Sequence, residues 1–546
     1  MLFMMNLEET KNEAYTAITI GPIGKTLDKA RSVKSFWTAS YLFSWIMRNL
    51  LTELSEGGFE VLSPALVGKD VLGEISEKVG LYPDRLFAKG ELKEKKLEEV
   101  KGKIFGDLAG NFKEAFQNEK KDIEQKIKKE SNQKRKRELE EIESRYSNAA
   151  STDEEYICEY LKNYLSISCI TVELNSDCGI LEQLNNYLDT QELFKRASIQ
   201  IDEDYMELFI EATNNPFLKA YSTKRAFPST SEIAVLGWEK EPPKDEKGEV
   251  EYTQLTSKPG FRNCYKYLAV IKADGDRFGT YIKTLKVDKE EEIEEDREKK
   301  NKLSRFTKSF SDFSVGVAKE LKEPEAIPVY IGGDDLFLFT PVLRGNIEKD
   351  VFHLIKKIDD LFIQRKIGIG LSMSYGVSVF YYKSPMSEAI HIAESMLEKA
   401  KGATRDAVAI SIQKHSGQKI ECLLPCKHST DEAKRKGCLY EKIIRLIRDF
   451  KGDGNMLNSL IYWIEEMYEI LFIDEVTQSQ ERINAVFDNF FDEEIHKKNK
   501  EFFDHLKDFI YSMHFSEDAP NKLSEKKKLL HGILRYCQFV TAKTEK

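Results

Sequence analysis

Apolar and polar positions along the N-terminal part of the chain alternate between short strand-like runs and longer helix-like runs. Residues 15–22 predict a buried strand that ends at a Gly-Pro turn, and residues 25–54 show helical periodicity. Residues 59–63 and 82–90 predict two further strands. This part of the chain therefore indicates a small α/β unit.

The following part of the chain has a helical pattern. Residues 91–148 are dense in charge and predict a long exposed helix or helical hairpin, with a basic run at residues 134–137. Residues 150–225 are moderately apolar and also predict helices. Residues 240–262 mix proline, glycine and charged residues, and they predict a loop or linker.

From residue 264 the predicted elements are short and sharply bounded. In order they are a strand at 264–276, a helix at 299–322, a hairpin at 327–342, a helix at 346–365, a strand at 371–382, a helix at 387–402 and a last strand at 406–413. This order predicts a ferredoxin-like core with an added element. Residues 430–546 carry repeated helical patterns and predict a C-terminal helical domain.

Composition narrows the class of protein. Apolar residues make up 41% of the 546 positions and charged residues 32%, without an apolar stretch long enough to span a bilayer. The formal charge of −10 argues against a wholly basic nucleic-acid binder, although 83 Lys and Arg leave room for local basic faces. Eight cysteines without CxxC spacing are typical of reduced thiols, so we expect a cytoplasmic protein without a membrane contact.

Two acidic motifs, one at a strand end and one in a hairpin bend, are candidates for a metal-binding active site. Asp274 and Asp276 end one buried strand, and Asp334 and Asp335 lie in the bend of the hairpin. Carboxylates brought this close repel one another unless a cation compensates, and their oxygens select Mg²⁺ or Mn²⁺. We therefore predict Asp274, Asp334 and Asp335 as catalytic residues, and Asp274, Asp276 and Asp335 as ligands of two metal ions that promote phosphoryl transfer.

Glycines and lysines near these acids complete the predicted nucleotide site. Gly275, Gly332 and Gly333 would let a triphosphate approach the backbone. Lys399 and Lys401 end the helix that follows the hairpin and could reach phosphates as point charges. The alternative interpretation is local, because glycine and aspartate favour turns and lysines favour helix C-termini.

Five segments together resemble the large subunit of type III CRISPR effector complexes, in its Cmr-type (type III-B) form. The resemblance rests on residues 21–45, 82–90, 225–234, the strand end ADGDRFG at 273–279, and the turn YIGGDDLF at 330–337. It implies an α+β protein with two ferredoxin-like palm domains and with intervening and C-terminal helical domains. The expected domains are an N-terminal palm-like domain with a charged helical insertion (1–150), a helical middle domain (151–260), a catalytic GGDD palm domain (261–420) and a C-terminal helical domain (421–546).

The resemblance also implies a function. The family's large subunit assembles with a guide RNA and other Cmr-type subunits, and target RNA then activates a nucleotidyl transferase that makes cyclic oligoadenylate from ATP as a second messenger in antiviral defence. Some relatives instead join AMP to S-adenosylmethionine. The acceptor pocket is expected to lie near Ser40, Tyr41 and Asp70.

The sequence departs from the family pattern in two places. Relatives often carry an N-terminal HD nuclease domain, whereas the first histidine here is His353, so we expect no such domain in this chain. Relatives also often have a zinc site with CxxC pairs. Here Cys422, Cys426, His428 and Cys438 form a candidate zinc set, while buried structural cysteines remain the alternative.

Two other functions compete with this interpretation. A diguanylate cyclase would normally read GG-D/E-EF at the turn, where this chain reads GGDDLF. A catalytically silent scaffold that binds RNA would not need acids at every expected metal position.

Overall fold

The structure is a computed structural model of the chain. It describes residues 13–68, 79–174, 179–193, 204–221, 227–239, 241–245, 248–285, 303–321, 326–344, 346–368, 370–403, 405–425, 438–450, 454–472, 480–516 and 519–542. Contacts within the chain divide it into two compact units. The first comprises Met1–Phe227, Arg277–Ala318 and Val329–Gly333, and the second Pro228–Asp276, Lys319–Pro328 and Asp334–Lys546.

The N-terminal elements alternate between strands and helices. In chain order they are β1 (Glu13–Gly21), α1 (Ile23–Leu27), α2 (Val33–Glu56), β2 (Glu60–Ser63), β3 (Arg85–Lys89), α3 (Glu94–Lys129), α4 (Gln133–Ser151), α5 (Glu154–Tyr164), β4 (Ser166–Leu174), α6 (Ile180–Glu192), α7 (Tyr205–Glu211) and α8 (Pro216–Tyr221). Helix α2 begins at a capping box in which the Ser32 hydroxyl accepts from the Ser35 N–H. The predicted single helix over 25–54 is therefore two helices.

The first sheet has the strand order of a ferredoxin-like fold. Its order is β2-β3-β1-β4, and its three strand pairs are antiparallel. Strand β4 pairs with β1 along nine positions, from Glu13 with Leu174 to Gly21 with Ser166. The prediction of only helices over 150–225 was wrong here, because β4 completes this sheet.

Helices α3 and α4 form the predicted helical hairpin. The side chain of Asn132 caps the N-terminus of α4 by accepting from the backbone N–H groups of Lys134 and Arg135. The sequence predicted an exposed helix here, but α3 is exposed on one side only. Its apolar stripe, which includes Phe112 and Phe116, is fully buried.

The elements between residues 230 and 425 surround a second sheet. In chain order they are α9 (Thr230–Val235), α10 (Tyr252–Thr256), a 3₁₀ turn (Asn263–Lys266), β5 (Tyr267–Asp276), α11 (Phe278–Ile282), α12 (Leu303–Glu320), β6 (Ile327–Gly332), β7 (Asp335–Pro341), β8 (Leu343–Arg344), β9 (Asn346–Asp350), α13 (Val351–Gln364), β10 (Ser372–Tyr381), α14 (Met386–Ala403), β11 (Ala407–Gln413) and β12 (Lys419–Pro425).

The second sheet repeats the ferredoxin-like order and extends it. Its six strands lie in the order β12-β11-β10-β5-β7-β6, with β5 antiparallel to both β7 and β10. The prediction that the strand at 264–276 lies beside the hairpin is confirmed, because β5 pairs with β7. Two predictions were wrong: β12 follows the supposed last strand, and residues 346–350 form β9 rather than the start of a helix.

Helix α14 lies unusually close to β10. A Cβ atom built on Gly376 of β10 would come within 2.1 Å of the Ala393 carbonyl oxygen and 2.3 Å of the Leu397 nitrogen. Only glycine permits this approach. The close packing holds α14, and with it Lys401, against the strands that carry the acidic residues.

The C-terminal part of the chain is helical, as predicted. Its elements are α15 (Leu439–Asp449), α16 (Gly454–Leu471), α17 (Gln480–Asp488), α18 (Glu493–His496), a 3₁₀ turn (Lys497–Asn499), α19 (Lys500–Phe515) and α20 (Leu523–Thr541). Helix α20 packs against β12, where Gly532 meets Cys422. Across the described ranges, every helix is too short or too polar to cross a bilayer.

Candidate active site

Two acidic strand ends meet at one edge of the second sheet. Strands β5 and β7 are antiparallel neighbours, and Ala273 pairs with Leu336. The next position on β5 is Asp274, and the residue before Leu336 is Asp335, the first residue of β7. The register thus brings these two carboxylates together, as the order of elements predicted.

The Asp335 carboxyl is electrostatically strained. Its side chain is exposed at the surface. The surrounding protein at the sheet edge nevertheless reduces the hydration of its carboxyl group. This desolvation, together with the charges of Asp334 and Asp274, raises the pKa of Asp335 to about 7. Desolvation also raises the pKa of Asp274, although the nearby ammonium of Lys401 opposes that rise. Such a cluster of carboxylates would be stabilised by additional positive charge.

The two predicted phosphate-binding lysines have different surroundings. Lys401 forms an ion pair with the Asp274 carboxylate. Lys399 instead pairs with Glu421 of β12, with its Nζ 3.0 Å from Glu421 Oε2. Residues two apart on a helix point in nearly opposite directions, so only one of the pair can face the acids. The geometry favours Lys401 at the site and places Lys399 on the β12 side.

Asp276 is buried, and its carboxylate is bonded to a neighbouring strand of the sheet. Its carboxylate accepts hydrogen bonds from the hydroxyls of Ser372 and Ser374, each at 2.9 Å, and from the backbone N–H of Asp406 at 2.8 Å. These contacts join β5 to β10 and to the residue before β11. Three donors already surround its oxygens, so Asp276 positions the end of β5, and its role as a metal ligand stays a prediction.

The glycine pair shapes the bend between β6 and β7. The turn comprises Gly333 and Asp334, so Asp335, which was predicted in the bend, is instead the first residue of β7. Gly333 has φ of 64°, a left-handed conformation that favours glycine. A Cβ atom built on Gly332 would lie 2.5 Å from the Tyr330 hydroxyl oxygen. The backbone conformation of Gly333 therefore favours glycine independently of any ligand, whereas a side chain at Gly332 would have to displace the Tyr330 ring. Gly275, the third predicted glycine, is buried within β5 and pairs with Met373 of β10.

A small pocket in the first unit lies beside the predicted acceptor residues. It is lined by Tyr41, Ser44, Trp45, Arg48, Val79, Leu81 and Tyr82. Tyr41 stacks on Trp37 with ring centroids 4.8 Å apart, and Ser40 is buried near Gly80. Asp70, the third predicted residue, lies outside the described residues.

The candidate zinc set is only partly described. Cys422 is buried in β12, where desolvation raises the pKa of its thiol to about 12. Cys438 is buried just before α15. Cys426 and His428 lie outside the described residues. Cys422 therefore has the surroundings of a core thiol packed on Gly532, and the zinc set stays a prediction.

A preformed metal cage is not found among the described residues, since they include no group of three or more His, Cys, Asp or Glu side chains that could hold an ion. The acids at the sheet edge nevertheless suit Mg²⁺ or Mn²⁺. Such ions usually bind through one or two carboxylates together with substrate phosphates, rather than in an all-protein cage. Desolvation and the charges of Asp334 and Asp274 raise the pKa of Asp335, and a bound cation would offset both effects.

Several contributing residues were missed by sequence reasoning. Ser372 and Ser374 occupy alternate positions of β10, and the pairing of Ser374 with Asp274 and of Ser372 with Asp276 could have indicated them. Lys272 also contributes positive charge toward Asp335, and it could have been found two positions before Asp274 on the same face of β5.

The fold and this acidic hairpin define a palm-type protein. Residues 267–409 match the family model described as Cas10/Cmr2, second palm domain. Residues 15–142 match the model described as CRISPR-associated protein Cmr2, N-terminal. The chain therefore contains two regions that match Cas10/Cmr2 domain models, one N-terminal and one central.

Individual proteins are similar to part of this chain or to its fold. The Cmr subunit Cmr2 of the CRISPR system of Pyrococcus furiosus is 26% identical over 114 residues, which are 20% of this chain and 13% of that protein. The match thus spans well under two thirds of the curated relative. A chain of the type III-B Cmr-beta complex bound to cognate target RNA has a similar fold, with a TM-score of 0.57 at 12% identity, covering 97% of this chain and 84% of that one. The apo complex gives a TM-score of 0.55, 12% identity, and coverage of 97% and 82%.

Proposed function

We propose that this chain is the nucleotidyl transferase subunit of a type III-B CRISPR complex, which target RNA activates to make cyclic oligoadenylate from ATP. The observation that carries the proposal is the register of β5 and β7. It sets Asp274 beside Asp335 at the GGDD hairpin, where desolvation, together with the charges of Asp334 and Asp274, raises the pKa of Asp335 to about 7. Repulsion among the carboxylates of Asp274, Asp334 and Asp335 would not help a purely structural turn. Phosphoryl transfer, in contrast, uses clustered carboxylates of this kind.

In the proposed reaction, the 3′-hydroxyl of one ATP attacks the α-phosphorus of another, and pyrophosphate leaves. Gly332 and Gly333 present backbone without side chains to the triphosphate. The ammonium of Lys401 lies beside Asp274, where it can neutralise phosphate charge. Asp276 fixes the end of β5 and so the direction of Asp274. These residues act by positioning and by charge, without a covalent intermediate.

Asp274, Asp334 and Asp335 would hold the divalent cations. Bound Mg²⁺ or Mn²⁺ would neutralise the charge that develops on the phosphoryl oxygens.

The acceptor nucleotide is assigned to the pocket beside α2. Of its lining residues, the half-buried Trp45 offers an aromatic face to a base and the half-buried Arg48 supplies a positive charge, while Tyr41 and Tyr82 are buried. The same pocket chemistry would accept S-adenosylmethionine, whose conjugation to AMP is the alternative product.

The partners of the chain are proposed to be a guide RNA, a target RNA and other Cmr-type subunits. The similar Cmr-beta chain belongs to a complex bound to cognate target RNA. Within this chain, the turn between α3 and α4 supports an RNA contact. Lys128, Lys129, Lys134 and Arg137 are exposed there, on a protein whose formal charge is negative. A short polybasic tip of this kind suits a phosphate backbone.

Product analysis by mass spectrometry tests the proposal. The assembled complex, with guide and target RNA, ATP and Mg²⁺ or Mn²⁺, is compared with and without S-adenosylmethionine. Cyclic oligoadenylate in both reactions is the expected result. A product that requires S-adenosylmethionine would make the chain a conjugating enzyme, and no product in either reaction would indicate a silent scaffold.

A further inference from the structure

Helix α2 is hydrogen-bonded to the segment that precedes β3. Ser44 lies in the middle of α2 and is 5% exposed. Its Oγ accepts hydrogen bonds from the backbone N–H of Leu81 at 2.9 Å and of Tyr82 at 3.1 Å. Both bonds are buried, so these two N–H groups depend on this one hydroxyl.

The same segment is bonded to the strand that enters the glycine turn. Gly80, the residue before Leu81, forms an isolated parallel β-bridge with Tyr330 of β6. Its carbonyl oxygen accepts the Ile331 N–H at 2.8 Å. Ile331 and Gly332 are the last residues of β6 before the turn. Among the described strands β6 lies at the edge of its sheet, and this bridge is on its outer side.

The contacts between these residues leave little free space. A Cβ atom built on Gly80 would lie 3.3 Å from Ser44 Cβ, 3.3 Å from Tyr330 Cδ2 and 3.4 Å from Ser40 Oγ. The Tyr330 ring in turn fills the space beside Gly332, where a built Cβ would meet its hydroxyl oxygen at 2.5 Å. A displacement of Gly80 is therefore transmitted to the turn by contact.

We propose that Ser44 is a positioning residue that sets the Gly332-Gly333 turn through Leu81, Gly80 and Ile331. Two successive glycines make the turn intrinsically flexible, and the edge strand before it has sheet support on one side only. Transfer between two nucleotides depends strongly on geometry, so a turn that drifts by about 1 Å slows it. The inference rests on the proposed function in one respect, that the turn receives the triphosphate.

Hydrogen exchange of the Ile331 amide tests the structural step without any nucleotide. In the full chain, Ser44→Ala is expected to speed exchange at Ile331 about tenfold, as expected for the loss of a buried hydrogen bond. Ser40→Ala is the matched control, because Ser40 lies one turn earlier on α2, also near Gly80, and makes no hydrogen bond to residues 79–82 in the described structure. It should leave Ile331 exchange unchanged. Gly80→Ala perturbs the same contact without altering α2, and it should also speed exchange.

Steady-state kinetics of the assembled complex test the functional step. Although Ser44 also lines the pocket beside α2, its hydroxyl is engaged by the N–H groups of Leu81 and Tyr82. Ser44→Ala is therefore expected to lower kcat for ATP about tenfold and to leave KM within about twofold, because the loss affects positioning and not nucleotide binding. A rise in KM alone would overturn the inference, since it would assign Ser44 to binding. Unchanged Ile331 exchange in both Ser44→Ala and Gly80→Ala would overturn it irrespective of activity. Failure of the proposed function is recognised separately, by product formation that survives loss of Asp334 and Asp335.

Discussion

Acidic residues of one short motif have different surroundings, and their proposed roles differ accordingly. Asp276 is 1% exposed and surrounded by hydrogen-bond donors, whereas Asp335 is exposed and faces other carboxylates. The sequence identified the motif but could not separate these roles, because the separation depends on Ser372, Ser374 and Asp406, which lie far along the chain.

The role of Asp276 leads to a stability prediction. Ser374→Ala should lower the free energy of unfolding by about 1–2 kcal/mol, because the hydroxyl of Ser374 is fully buried and donates to a buried carboxylate. Ser372→Ala is the matched control. Ser372 donates to the same carboxylate but is only half-buried, so water can replace it at a smaller cost. Denaturant unfolding of both variants measures the difference, and equal losses would contradict the assignment.

Strands and helices with strong periodicity were predictable, and those that depend on distant partners were not. The run from 264 to 276 predicted β5 because it is almost continuously apolar before its acidic end. Strand β4 was missed because Ser166–Leu174 is only partly buried and follows a helical pattern. Its pairing with β1, some 150 residues earlier, stabilises it as a strand. The bridge from Gly80 to Tyr330 has no local signal either.

The packing of α14 on β10 gives a prediction at the level of elements. Gly376→Ala should destabilise the protein by about 2–4 kcal/mol, because the added methyl group would overlap backbone atoms of Ala393 and Leu397. Gly402→Ala on α14 is the opposite control. Its added Cβ meets nothing within 4 Å, so it should be neutral or stabilise the helix by up to about 1 kcal/mol. Thermal unfolding distinguishes the two, and equal melting temperatures would refute this close approach.

The α3–α4 hairpin gives a prediction about RNA. Lys134→Glu combined with Arg137→Glu should weaken binding of single-stranded RNA and make it less salt-dependent, because each lost phosphate contact reduces the slope against log salt by about 0.7. Lys95→Glu with Lys96→Glu makes the same charge change on exposed residues at the start of α3. Fluorescence anisotropy over a salt series compares the pairs. Equal losses from both would mean that overall charge, and not the hairpin tip, governs binding.

At the scale of the whole molecule, two sheets share one strand order, but their strand ends differ. The first strand of the second sheet ends in Asp274, Gly275 and Asp276. The first strand of the N-terminal sheet ends in Ile20 and Gly21, followed by Pro22. The described N-terminal strand therefore offers no carboxylate at the matching place. The ferredoxin-like sheet thus occurs twice in the chain, and we assign the proposed nucleotidyl transfer to the second sheet.

The most direct test of this assignment is product formation by the complex that carries Asp334→Ala and Asp335→Ala. The reference variant is Glu388→Ala, which removes an exposed acid from α14 of the same domain. With guide RNA, target RNA, ATP and Mg²⁺, the account predicts that the double variant assembles normally and forms no detectable nucleotide product, while Glu388→Ala retains full synthesis. Undiminished synthesis by the double variant would contradict the account.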